Sequence, residues 1–599
     1  MIFSEHKKIQ YFYFAIILCS LIFFSVRILN NREKLFVIDG DGRGYYSYLP
    51  AVFFQHDLSW SKLHEYCSED RQSFLNEING KKINKYSFGT SLLMLPFFLL
   101  AILFSIVVQE NVDGNNFIFH LFIACAAIFY FLAGIYFAIK SLLILKKKDS
   151  SIIYSVTAII LGTSILFYTF FECSLSHIYS FFCMSGFGFF TLKFLKETNK
   201  KIMLLAGLFL FLIIVIRPFN IIVLASLPFL IFEAEKIKID FYFFRKLVIC
   251  LLYTIVFALM LLVIFNYLQS GLFILNVYKN EGFNFFNPEF VNFLFSARKG
   301  LFFYSPILFL AFICIVVLAI KKQVKYVFLL SFFLFLFYLL SSWWNWFYGD
   351  SFGQRVIVDF YYFFLFPLTS FFEIVFTSIK RKLIFGFAIS FLLVVNLVQT
   401  WQIANGILPL DGMNWEKYNY IFLKTNKIYA GLIGEELVPI YGLAVEPNLF
   451  YLEEKFNSKK NSFGQSSIIN DSIGQNNKIT LIESQNEFSL MTNYQIKESK
   501  KYSRIYVSVE FDYFDKTVLD AKNIGIVFSV NSSKDKLLYY YSAMIMDLPN
   551  VSGKWHHRNL SAEIKQNLHD GNSLNVYFYN PKGYELLIDN YKLVIQGFK

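Results

Sequence analysis

"YFYFAIILCSLIFFSVRIL", Tyr11 to Leu29, carries a single charge, Arg27, in a run otherwise built from aliphatic, aromatic and small side chains. A stretch longer than about 18 mostly apolar residues can cross a bilayer as a helix. This run is too long and bulky for the core of a cleaved leader, and no small-residue cleavage site follows it. Glu5-His6-Lys7-Lys8 stands before it, so it reads as an uncleaved first membrane helix with the N-terminus in the cytoplasm.

The same signature recurs along the chain. Of 599 residues, 56% are hydrophobic and 76 are phenylalanine, an excess over soluble domains that calls for a low-polarity solvent. The formal charge of +12 lies largely in short links between apolar runs: Lys146-Lys147-Lys148, Lys193 to Lys201, Lys236 to Lys246, Lys321 to Lys325 and Lys380 to Lys382. That distribution reports orientation in a membrane and not a nucleic-acid surface, so lipids are expected neighbours and nucleic acid is not. Seven cysteines, none beyond Cys314, suggest neither a disulfide framework nor a CxxC metal site.

With the basic links inside, runs 152–171 and 178–193, 202–216 and 219–233, and 326–342 and 357–376 pair as hairpins. Run 247–268 exits, 300–320 returns and 384–402 exits again. Residues 30–88 form the first outer loop. Two apolar runs, 89–108 and 117–145, then stand where parity allows one crossing. The first opens with Gly89 and contains Pro96, and is expected to be a re-entrant or interfacial helix. The predicted architecture is a polytopic α-helical membrane protein of about 11 full crossings plus that helix, spanning residues 1–402. Its expected location is the inner (plasma) membrane of a bacterium, with the chain beyond Trp401 extracytoplasmic.

Residues 403–477 read as an extracytoplasmic connector, and 456–477 are rich in Asn, Ser, Lys and Gly. From 478 to 599 alternation appears. In Ile505 to Tyr513 the odd positions are apolar, as in a half-buried strand, and similar stretches lie at 524–530, 537–546, 574–579 and 586–595. Short strands separated by turn signals predict an antiparallel β-sandwich. With its ending "LLIDNYKLVI", the tail resembles the jelly-roll modules that accompany carbohydrate-active enzymes.

Directly after the first helix comes "VIDGDGRGYYSYLPAVFF", Val37 to Phe54. Its glycines allow sharp turns and close approach. A carboxylate at the edge of a low-dielectric region can be tuned to take a proton from a hydroxyl. Tyrosines suit both the interface and the faces of sugars. Further polar motifs fall on the same predicted outer side: "NKYSFGTSLLMLPFF", "SLSHIYSFF", "IRPFN" and "WWNWFYGDSFGQR".

Together these motifs resemble the membrane-embedded glycosyltransferases of the C-type fold, the superfamily of protein O-mannosyltransferases and lipid A aminoarabinose transferases, over roughly residues 10–400. The resemblance implies a polyprenyl-phosphate sugar donor, a glycan, lipid or protein acceptor, and an acid in the first outer loop acting as general base. Asp41 matches that acid by its spacing to Tyr45. Asp39-Gly40-Asp41 stands where the family more often has an Asp-Glu pair, so Asp39 is the second candidate. Tyr45, Tyr46, His177, Arg217, Trp346, Asp350 and Arg355 are the expected substrate-binding residues. Arginine suits a lipid phosphate, and Arg355 leads Arg217, with a plain Asp350–Arg355 ion pair as the competing reading. Glu172 with Asp39 and Asp41 is the set a divalent cation would use, but aspartates two apart define no site and no metal is assigned. Two other functions remain open: a glycan polymerase or ligase using lipid-diphosphate donors, and a non-enzymatic lipid-glycan transport component.

Overall fold

The computed structural model describes residues 6–30, 35–62, 74–234, 241–274, 277–278, 281–431, 433, 444–454, 467–470, 478–482, 487–515, 524–546, 554–564 and 569–598. The chain divides into two compact units, Met1–Thr400 and Trp401–Lys599.

The first unit is helical. Among the described residues eight helices are long and apolar enough to cross a membrane: Lys7–Leu29, Gly89–Val107, Phe117–Ile144, Ser176–Glu197, Phe244–Ser270, Val324–Ser341, Arg355–Val375 and Ile379–Ala404. Gly89–Val107, expected to be re-entrant, is by length and composition one of these eight. Several predicted runs are broken. The run 152–171 is two helices, Asp149–Gly162 and Ile165–Phe170. The run 219–233 starts as a 3-10 helix, Pro218–Ser226, because Pro218 brings no N–H to the preceding turn. Arg355–Phe360 is likewise a 3-10 segment leading into Tyr361–Val375.

Three of the basic links, 146–148, 193–201 and 321–325, meet at one end of this unit. Lys325 pairs with the buried Glu233 at 2.9 Å, and Lys147 lies 3.8 Å from Glu233 and 3.6 Å from Glu373. His6 meets Asp149 at 2.8 Å, and Lys196 Nζ donates to the Ile144 carbonyl at 2.8 Å. Phe117–Ile144, 28 residues and so about 42 Å long, carries the chain from the other end to this one. At its start, the Ile38 N–H donates to His120 Nδ1 at 3.0 Å, and the Tyr46 hydroxyl donates to the Gly114 carbonyl at 2.5 Å. Residues 38–46 of the first outer loop are therefore tied to residues 114–120, which follow Gly89–Val107.

The first outer loop is itself folded. Short helices cover Asp41–Tyr46 and Tyr48–Pro50, and strands β1 (Leu75–Ile78) and β2 (Lys81–Asn84) form a hairpin. Gln269 Oε1, at the end of the helix Phe241–Ser270, accepts from Trp60 Nε1 and from the Asn84 N–H, both at 3.0 Å, and pins the loop.

Among the described residues the second unit has ten strands in two antiparallel sheets. They are β3 (Ala444–Glu454), β4 (Ser467–Asn470), β5 (Lys478–Ile482), β6 (Phe488–Gln495), β7 (Arg504–Asp515), β8 (Gly525–Asn531), β9 (Leu537–Met544), β10 (Trp555–Ile564), β11 (Ser573–Tyr579) and β12 (Leu586–Phe598). One sheet runs β10-β7-β12-β5-β4 with β3 also on β12, and the other runs β6-β11-β8-β9. Val507, Val509 and Phe511 from the first sheet share a buried core with Phe528, Val530, Val576 and Phe578 from the second. That is a β-sandwich. It begins earlier than the alternation suggested, since β3 and β4 lie inside the stretch 403–477 expected to be a connector. The rest of 456–477 lies outside the described residues.

Candidate active site

Asp41–Tyr46 forms a short helix entered through Gly40 at φ 50°. Gly42 and Gly44, expected to admit a ligand, admit protein instead. A Cβ on Gly42 would lie 1.8 Å from Ser174 Oγ, and one on Gly44 would lie 2.2 Å from the Tyr86 ring. Ser174 Oγ also donates to the Val37 carbonyl at 2.6 Å, so the turn before His177 is clamped to the quoted stretch.

This close packing delivers Asp41 to Arg355. Arg355 Nη2 donates to Asp41 Oδ2 at 2.7 Å across 314 residues of chain. The Tyr86 hydroxyl, from "NKYSFG", is a second donor to the same carboxylate. Burial pushes Asp41 upward, but the Arg355 guanidinium, Tyr86 and the charge on Lys85 outweigh it and bring the carboxyl down to about 2. Burial and the neighbouring Asp41 charge push the Tyr86 phenol well up, so it stays a neutral donor. Arg355 Nε is buried with no hydrogen-bond partner among the described residues.

A second cluster centres on Asp359, which is fully buried. Its carboxylate meets His177 Nδ1 at 2.8 Å, accepts from Asn220 Nδ2 at 2.7 Å, and has Arg217 Nη1 at 3.6 Å. A charge so deep between apolar helices is expensive unless it is matched, and here two hydrogen-bond partners and a guanidinium charge converge on it. The clusters adjoin, because Arg355 and Asp359 stand four residues apart on the same 3-10 segment, Arg355–Phe360. The Tyr168 ring lies edge-on to His177 at 5.3 Å while its hydroxyl accepts from the Phe352 N–H at 2.9 Å, tying the tryptophan-rich turn to His177.

The other sequence candidates fall differently. Asp39 is 75% exposed and accepts from Arg43 Nε at 2.9 Å, while Arg355 bonds Asp41. Tyr45 is buried, its ring 4.7 Å from Tyr86. Tyr46 is turned to Phe98 and the Gly114 carbonyl. Trp346 is half-buried with its ring edge-on to Phe347, and its carbonyl accepts from Gln354 Nε2 at 3.2 Å. Asp350 is exposed, and its charge reaches Glu172. Burial, with Asp39, Asp41 and Asp350 adding to it against the pull of Arg355, pushes Glu172 up to about 7. Among the described residues no three or more His, Cys, Asp or Glu side chains are grouped to share a metal ion.

Asp359, Asn220 and Tyr86 were missed as site residues, although each sits in a readable place. Asp359 is an acid inside the apolar run "VIVDFYYFF", and an ionisable residue at membrane depth is by default a functional candidate. Asn220 closes "IRPFN" and Tyr86 lies three residues before Gly89.

No family model and no curated protein matches this chain. Among solved structures it is similar to the arabinosyltransferase EmbB of Mycobacterium smegmatis, at 9% identity over 95% of this chain and 64% of that one, with a TM-score of 0.31. It therefore spans slightly less than two thirds of that enzyme's length. The CBM22-1 xylan-binding domain of Paenibacillus barcinonensis Xyn10C matches at 11% identity over 26% of this chain and 99% of that domain, with a TM-score of 0.17. The CBM22-1–GH10 modules of Clostridium thermocellum xylanase 10B match at 11% over 28% of each chain, with a TM-score of 0.16. At such scores the likenesses carry no chemistry, which rests on the residues.

Proposed function

We propose that the chain is a glycosyltransferase that moves a sugar from a polyprenyl-phosphate donor to a glycan, lipid or protein acceptor at the extracytoplasmic face. The observation that carries this reading is the Asp41–Arg355 pair, an acid and a side chain of the type that suits a phosphate, brought within 2.7 Å from opposite ends of the helical unit's sequence. The acceptor oxygen attacks the anomeric carbon, the bond from that carbon to the phosphate oxygen breaks, and its electron pair leaves with the polyprenyl phosphate. Asp41 takes the acceptor proton, Arg355 and Arg217 face the phosphate, and the single displacement inverts the anomeric centre. The ties between residues 38–46 and 114–120, remote from the basic links, support a Gly89–Val107 helix that does not cross and a site facing outward.

Asp41→Asn is expected to lower transfer by about 10²–10⁴ in a reconstituted assay while the protein inserts and folds. Wild-type turnover in that variant would reject Asp41 as base and favour the lipid-diphosphate polymerase reading or the transport reading.

For the sandwich, a row of rings on the β6-β11-β8-β9 sheet supports glycan binding. Phe488 lies 5.7 Å from Tyr577 and stacks on Tyr579 at 5.4 Å, and Tyr540 is 53% exposed. Unchanged retardation of a Phe488→Ala/Tyr540→Ala protein on glycan-loaded affinity gels would remove that role.

A further inference from the structure

Resting on the reading above, we infer that the Asp41–Arg355 ion pair is an off state, and that the donor phosphate switches the base on by taking Arg355 away from Asp41.

Three observations lead there. Asp41 is held by two donors at once, Arg355 Nη2 at 2.7 Å and the Tyr86 hydroxyl, with Lys85 adding charge. A carboxylate satisfied in this way has little affinity left for a proton, and a general base works best when its proton affinity is near that of the medium. The resting arrangement is therefore poor for the step assigned to it. Second, Arg355 is only partly used. Its Nε is buried without a hydrogen-bond partner among the described residues, although a guanidinium presents five N–H donors in a planar fork. A phosphate offers enough acceptor oxygens to engage Nε together with an Nη, which the single Asp41 contact does not do. Third, Asp359, four residues beyond Arg355 on the same 3-10 segment, holds Arg217 Nη1 at 3.6 Å, so an anion moving onto Arg355 enters a region with a second guanidinium.

Exchange of partners leaves Asp41 with Tyr86 and restores much of its proton affinity as the donor arrives. No covalent bond changes in this step; one ion pair replaces another. Donor then precedes acceptor activation, and Asp41 does not activate water while the donor is absent.

Competition between Asp41 and phosphate for one arginine has a measurable sign. The probe is a polyprenyl monophosphate bearing no sugar, bound to the full-length protein in lipid nanodiscs and titrated calorimetrically. Asp41→Asn and, as a second neutral replacement, Asp41→Ser should each bind it about tenfold more tightly than the parent, equivalent to about 1.4 kcal/mol. Arg355→Gln should weaken binding, and Arg355→Gln/Asp41→Asn should show no gain over Arg355→Gln. Glu77→Gln, which removes an exposed carboxylate from the β1–β2 hairpin, should leave the affinity unchanged. Unchanged or weaker binding in both Asp41 variants overturns the exchange, as does a gain that persists without Arg355, since that is general electrostatics. Transfer lost in Asp41→Asn with unaltered phosphate affinity rejects the switch and leaves the base assignment standing, whereas transfer retained rejects the base.

Discussion

Asp359→Asn should unfold the protein at a markedly lower temperature, and the structure supplies the size. The carboxylate meets His177 at 2.8 Å and Asn220 at 2.7 Å, with Arg217 at 3.6 Å. An amide at 359 keeps one acceptor and turns an N–H toward a second donor, so one charged hydrogen bond is lost, at about 1.5–3 kcal/mol. Arg217 loses its counter-charge as well. Its side chain is 24% exposed and water screens part of that loss, which adds about 1 kcal/mol. The sum, about 3 kcal/mol, lowers Tm by roughly 3–4 °C for a unit of this size. Unfolding in lipid nanodiscs followed by tryptophan fluorescence measures it. Arg217→Gln added to Asp359→Asn should recover part of the loss, because the stranded cation is gone. A Tm within about 1 °C of the parent for Asp359→Asn would refute the view that this acid is the keystone joining Ser176–Glu197, Pro218–Ser226 and Arg355–Phe360.

Gly42→Ala should cut transfer at least tenfold, because its Cβ would sit 1.8 Å from Ser174 Oγ; Ser174→Gly in the same protein should restore much of the activity, and a fully active single variant would contradict the packing. Glu172 has its proton affinity raised in the folded state to about 7, so between the ordinary carboxyl range and that value the folded protein binds more protons and loses stability as pH rises. Glu172→Gln should therefore raise Tm by about 1–2 °C at pH 8 with the gain fading toward pH 5, and an equal gain at both would reject the shift. In a background without native cysteines, Lys82→Cys and Ser533→Cys should react with a membrane-impermeant thiol reagent in cells stripped of any outer barrier, while Ser150→Cys should not. Labelling of only one of the first two would mean that Gly89–Val107 crosses.

Much of the helical unit was legible because its signals are local. Tyr11 to Leu29 announces a helix from composition alone, and the lysine links at 146–148 and 321–325 do meet at one end. Strand β7 was visible for the same reason, since Ile505, Val507, Val509 and Phe511 alternate and all four are buried. Strand β10 was not: Trp555-His556-His557-Arg558 masks the alternation that Leu560, Ala562 and Ile564 complete, and Arg558 is itself buried. Strand β3 hid behind Glu446, Pro447, Glu453 and Glu454, tolerable where the described pairing is to β12. At the site, residue types were readable but partners were not. Nearness in sequence suggested Asp350 for Arg355, whereas folding delivers Asp41, and no spacing rule reaches across 314 residues.

That separation has a temporal side. Translation at about 5–20 residues per second puts some 15–60 seconds between the emergence of Asp41 and that of Arg355. A chain arrested between residues 217 and 355 holds Asp41, Tyr86, His177 and Arg217 but lacks Arg355 and Asp359, the partners that Asp41 and His177 meet in the folded unit. Both the Asp41–Arg355 and the His177–Asp359 pairs therefore form only once the helical unit is nearly complete.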